Sequence, residues 1–138
     1  MTHPGLSLQG AMYQLLNSSS QLNEKLGANA IYDDVPDCTD MPYIVFTEAT
    51  HSDWSTGTED GTEHLVSLSI WSKEHGRKQV LELAELCKQT LKLMPVLLVD
   101  HTLVNFTHEF TEVGRDKDVD HFSAKLTFRA VTEPTLNS

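Results

Sequence analysis

Seven histidines in this sequence invite a chemical reading. His3, His51, His64, His75, His101, His108 and His121 are spread along the whole chain. An imidazole can ligate a metal or move a proton near neutral pH. Their spacing matches neither H-E-x-x-H nor a Cys/His zinc pattern. They read as a scatter, with His64, His108 and His121 on strands. Asp116-Lys117-Asp118-Val119-Asp120 copies the first half of a calcium loop. The loop needs Gly at its sixth position and Glu at its twelfth; here these are His121 and Thr127. A charged β-turn accounts for that segment. Asp33, Asp34, Asp37 and Asp40 could gather a cation such as Mg²⁺, but acids in a Pro-containing loop also make a hydrated surface.

Nucleophiles fare no better. No G-x-S-x-G elbow occurs, and Gly57, Gly61 and Gly76 stand alone where a phosphate cradle needs glycines together. Cys38 lies among aspartates, which disfavour its thiolate. Cys87 falls on the apolar face of a predicted helix and reads as a buried free thiol. Gly76-Arg77-Lys78 opens that helix. Two cations at a helix N-terminus can hold an anion, but a glycine that caps the helix and permits a sharp turn is the simpler account. The sequence therefore predicts no enzyme, no metal and no cofactor.

The charge balance narrows the partners. Twenty acids against ten Lys and Arg leave a net charge of −10. Gripping a phosphate backbone needs clustered cations, and so does binding an anionic membrane. The 138 residues suit one domain over 1–138, with 1–6 and 133–138 as loose ends. The opening Met1-Thr2-His3-Pro4-Gly5 has no basic region or apolar run, so no signal peptide is expected. No apolar run approaches the ~20 residues of a membrane span. The expected location is a cytoplasm.

Six elements would position these groups. Leu8, Met12, Leu15, Leu22 and Leu26 make a helical stripe over 7–26, with Ser7 as N-cap and Gly27 closing it. Prolines and aspartates punctuate 28–42, with Tyr32 suited to a short edge strand. Residues 43–50 and 62–71 alternate as strands, the second with Val66, Leu68 and Ile70 on one face. The polar stretch 51–61 between them is a long hairpin loop or extended arm. A second helix spans 77–94, with Val80, Leu83, Ala84, Cys87, Leu91 and Met94 inward, and Pro95 ends it. Strands follow over 96–112, with Val104, Phe106 and Phe110 on one face, and over 119–132. The order α-β-β-α-β-β predicts an α+β, two-layer fold. A mostly antiparallel four-stranded sheet carries both helices on one face. The predicted core is Leu15, Leu22, Val66, Leu68, Ile70, Leu83, Cys87, Phe106, Leu126 and Phe128.

Several segments, in this order and at these gaps, resemble one family. They are Ile31-Tyr32-Asp33-Asp34-Val35-Pro36, Pro42-Tyr43, Asp53-Trp54-Ser55, the charged stretch up to His64, Trp71-Ser72 through Arg77-Lys78, and Phe128-Arg129-Ala130. They are similar to the tail-completion, or tail-terminator, proteins of long-tailed bacteriophages and gene transfer agents. The likeness runs over roughly residues 7–132. It implies a homo-oligomeric ring, typically a hexamer, that ends the tail tube and meets the head-completion, or stopper, protein. The tail-tube protein is the other partner, and DNA passes through as cargo without specific binding. Assembly would occur in the host bacterial cytoplasm, and the product would sit in the virion tail or neck. On that reading Asp53, Trp54, Ser55, Glu59 and Asp60 are candidate subunit or partner contacts. Asp33, Asp34, Asp116 and Asp118 are candidate channel-facing acids. Two plainer readings stay open: Trp54 packs locally under the arm, and the loop acids serve solubility. Another head–tail connector or a tube subunit is the alternative role, and a small-ligand-binding protein or enzyme, which would need a concave pocket with convergent polar groups, is the remaining one.

Overall fold

Val66, Leu68 and Ile70 alternate with Ser67 and Ser69, and this period of two builds β3 (Thr62–Trp71). The computed structural model describes residues 2–27, 30–37, 39–74, 76–116 and 121–135. Four further strands are β1 (Ile31–Tyr32), β2 (Tyr43–Asp53), β4 (His101–Asp116) and β5 (His121–Pro134). They form one sheet in the order β1-β2-β3-β5-β4. The β2–β3, β3–β5 and β4–β5 pairs are antiparallel. β1 runs parallel to β2, through Ile31 opposite Ile44 and Tyr32 opposite Val45. The sheet is thus mixed and five-stranded, not four-stranded and antiparallel. The extra strand is the short edge strand for which Tyr32 is suited, and its two residues are too few to show a period in sequence.

The helices number three: α1 (Pro4–Asn17), α2 (Ser20–Leu26) and α3 (Lys78–Leu91). The single helix expected over 7–26 is broken at two serines. Ser18 Oγ donates to Gln14 O at 2.7 Å, and Ser19 Oγ accepts from Leu22 N at 3.3 Å. Such side chains offer the backbone an alternative to helix continuation. The break also resets the helical phase. Leu8, Met12, Leu16 and Leu22 are fully buried, while Leu15 only packs against their margin. α1 starts three residues earlier than its apolar stripe suggests. Pro4 occupies the first turn, where its missing N–H costs nothing. His3, not Ser7, is the N-cap, its Nδ1 accepting from Gly5 N at 2.9 Å.

All three helices contribute to one core with the sheet. Val66, Leu68, Ile70, Leu83, Cys87, Leu126 and Phe128 are buried there, as their periods predict. Phe106 is only partly buried against it. Val104 and Phe110, expected on the same face as Phe106, are about half exposed. β4 slips register between Leu103 and Asn105 and again between His108 and Phe110. Each bulge inserts one residue and switches the side chains that follow to the other face. The sheet's second face is polar and closed by cross-strand bonds. Ser67 Oγ meets Thr127 Oγ1 at 2.9 Å, and Arg129–Glu63 and Lys125–Glu48 are ion pairs at 2.7 and 3.0 Å.

α3 begins after Gly76, whose φ of 136° lies in a region that favours glycine. Arg77 is the N-cap residue and makes no side-chain cap bond. Its guanidinium instead lies over the Phe122 ring, 5.2 Å from the centroid. Gln79 receives the incoming turn, its Oε1 accepting from Ser72 Oγ and Lys73 N. α3 ends at Leu91, and single turns through Met94 lead to Pro95. The connector to β4 is itself pinned. Leu103 N donates to Val96 O, Leu98 N to His101 O, and Thr135 N to Asp100 O.

Candidate subunit interface

β2 and β3 run together to the end of the hairpin, where Asp53 pairs with Thr62. The predicted arm is therefore partly strand, with a loop only over 54–61. Every residue from His51 to Asp60 is exposed. The loop is ordered by its own polar groups. Asp53 Oδ1 accepts from Ser55 N and Oγ, and Ser55 Oγ accepts from Gly61 N. Trp54 N donates to Gly61 O at 2.9 Å, and Thr56 N donates to Glu59 O at 2.8 Å. Bonding to Ser55 holds the Asp53 carboxyl below the usual carboxylate range. A Cβ on Gly61 would sit 3.2 Å from Trp54 O, so this turn closes tightly around glycine.

The fold thus brings Asp53, Trp54, Ser55, Glu59 and Asp60 together on one projection. Trp54 leans on Gly61 yet stays 47% exposed. The candidate channel acids do not share one place. Asp33 and Asp34 are exposed just after β1, with Asp33 Oδ1 accepting from Gln9 Nε2. Asp116 ends β4 opposite His121, at the far end of the sheet from the arm. Asp118, like Cys38 and His75, lies outside the described residues.

Three of the histidines, His3, His51 and His64, lie together. His51 and His64 are cross-strand partners, and their Nδ1 atoms lie 2.7 Å apart. One ring must donate and the other accept. His64 Nε2 bonds Thr132 Oγ1 at 2.9 Å, and His3 packs edge-on against His51. His101, on β4, binds Thr2 O through Nε2, while its Nδ1 is buried without a partner among the described residues. Burial and the neighbouring imidazoles push the His64 pKa down to about 4. His51 is lowered for the same reasons. The signal was period-2 parity: His64 shares the face of Val66 and Leu68. Among the described residues, no three His, Cys, Asp or Glu side chains take a metal-holding arrangement. A cavity of about 340 Å³ between α3 and β4 is lined by Lys88, Lys92, Phe106 and His108 and holds no nucleophile–base pair. Cys87 is buried, and its thiol is pushed up to about 12.

Comparison with known proteins decides what kind of molecule carries this arm. The family model for tail completion protein gp17 matches residues 10–133. The chain belongs to the tail completion protein gp17 family. A chain from the virion of a native gene transfer agent (GTA) particle shares this chain's fold, with a TM-score of 0.83. That match has 24% identity and covers 96% of this chain and 99% of the other. No curated protein matches the sequence. Family membership gives this chain a structural role in a phage-type tail. None of its described helices is long and apolar enough to cross a membrane.

Proposed function

We propose that this protein ends a tail tube as a closed ring of its own copies and joins that end to the head-completion protein. The observation that carries this reading is the arm. A structured projection exposes Trp54 beside Asp53, Ser55, Glu59 and Asp60, and a free monomer gains nothing from displaying an indole there. Aromatic anchors of this kind are enriched at interface centres. A contact between two different surfaces of one chain closes a ring when its rotation closes. Six copies is the ring size that the family resemblance implies. The remaining partners are the tail-tube protein on one side and the stopper on the other.

DNA would pass through the ring without being held, which suits a net charge of −10. Asp33, Asp34, Asp116 and Asp118 are the acids offered for the channel or its rim. The protein needs no cofactor and performs no catalysis in this role. Assembly in the bacterial cytoplasm, before incorporation into the tail or neck, completes the reading.

Mass measurement of the purified protein, alone and with tail tubes, tests it. A terminator gives discrete rings, free or as one cap per tube. Long tubes of this protein alone would make it a tube subunit instead. Strictly monomeric behaviour under both conditions would remove the ring.

A further inference from the structure

We infer that His3, His51 and His64 form a pH-released clasp that fastens the first turn of α1 to the root of the arm. The device stands whether or not the arm closes a ring. His51 and His64 pair across β2 and β3, two residues in from the Asp53–Thr62 pair that ends the hairpin. His3 caps α1 and packs edge-on against His51, with ring centroids 5.3 Å apart. The approach is close because Gly5 has no Cβ: one there would sit 2.6 Å from His51 Cε1. On its other side α1 is tied to the α3–β4 connector. Ser7 Oγ donates to Val99 O at 2.6 Å, and Thr2 N donates to Asp100 Oδ2 at 2.8 Å. His101 Nε2 donates to Thr2 O, a bond open to either charge state of that ring.

The clasp holds only while its rings keep lone pairs. The 2.7 Å between the Nδ1 atoms of His51 and His64 has room for one proton. With both rings charged, two N–H groups would face each other and the bond is lost. His3 Nδ1 accepts from Gly5 N, so a proton there removes the cap and puts a cation at the positive end of the α1 dipole. Charging His3 and His51 together sets two cations edge to edge. His64 is fully buried, with Nε2 bonded to Thr132 Oγ1.

The neighbouring charges do not offset those protons. His51, His3 and His101 act on His64, and His3 acts on His51; all are bases. Asp100 faces His101 but is engaged by Thr2 N. Asp53, two residues beyond His51, accepts from Ser55 N and Oγ. Glu63 and Glu133 adjoin His64 and Thr132 along their strands and so point to the other face of the sheet. There Glu63 pairs with Arg129. The first turn of α1 has no acid. Burial and the neighbouring rings lower His51 and bring His64 to about 4, against 6.5 for a free ring. The closed clasp therefore refuses protons that the open one accepts. It is favoured above pH 6.5 and lost as pH falls towards about 4.

Amide hydrogen exchange of the full chain tests the clasp. The reporters are Gly5 and Ser7, whose N–H groups donate to His3 Nδ1 and His3 O. Their protection, corrected for intrinsic exchange, should fall by more than about tenfold per pH unit between about pH 6 and 5, since more than one proton is taken up. Amides of α3 should stay protected there. His3→Asn with His51→Gln keeps a capping and a hydrogen-bonding side chain but leaves only His64 to titrate. Its slope should drop to about tenfold per pH unit or less. His108→Gln, outside the cluster, should keep the wild-type slope. Equal protection of Gly5 and Ser7 at about pH 7.5 and 5, or a wild-type slope in the double variant, would overturn the clasp. So would simultaneous loss of protection in α1 and α3, which would mean that these rings act on the whole fold at once.

Discussion

A buried histidine ties this fold to pH. His64 has 0% exposure, and its pKa of about 4 lies below the ordinary 6.5. Between those values the unfolded chain takes up a proton that the folded chain refuses. Stability should therefore be level in this group above pH 6.5, and fall as pH drops through 6.5 towards about 4. Denaturation midpoints at successive pH values check this, and His64→Gln should flatten the slope even if it lowers the midpoint. A wild-type midpoint that does not move between pH 7.5 and about 5 would exclude an uncharged His64 as a condition of folding. Leu68, also at 0% exposure, is the plainer case. Leu68→Ala should cost ~2–5 kcal/mol of unfolding free energy, since the cavity forms between sheet and helices with little room to collapse.

At the scale of elements, the serine break between α1 and α2 lets the chain turn over the core. Ser19 caps α2 through Leu22 N. Ser19→Ala should lower stability by ~0.5–2 kcal/mol, read as a shift in the urea midpoint. Ser20→Ala, one residue inside the helix and exposed, is the control and should change little. An unchanged midpoint in Ser19→Ala would mean that packing alone holds the break. The two bulges of β4 act in a similar way on faces. They turn Val104 and Phe110 outward while keeping Leu103 buried and Phe106 and Val113 packed at the core's margin.

For the whole molecule, the central expectation is assembly through the arm. Trp54→Ala should impair ring formation while the melting temperature of the monomer hardly moves, because the residue is 47% exposed on the loop. A large loss of monomer stability would instead make Trp54 a local prop. Charge gives a second expectation. The free protein should bind duplex DNA no better than a neutral control, even at low salt, where phosphate contacts are strongest. Like charge on a channel wall is felt over a Debye length of about 8 Å at physiological salt. Micromolar DNA binding at low salt, or a ring lined by Lys and Arg, would turn the reading towards nucleic-acid handling.

Sequence alone determined the α+β class, the edges of β3, the inward faces of β3, α3 and β5, and the polar arm. Each rests on a period or on turn residues that neighbours along the chain decide. The order of short motifs from Ile31-Tyr32 to Phe128-Arg129-Ala130 also pointed to the family that the comparison shows. Tertiary structure decided the rest. β1 is a strand because β2 lies beside it, and two residues carry no period of their own. The bulges of β4 exist in its pairing with β5 and leave no mark in composition. His3, His51 and His64 lie together because α1, β2 and β3 converge at one end of the sheet, although these residues are far apart in sequence. The level row from Asp53 to Leu103 is likewise a property of strand order. Local spacing reports which way a side chain faces; only the packed sheet reports what it faces.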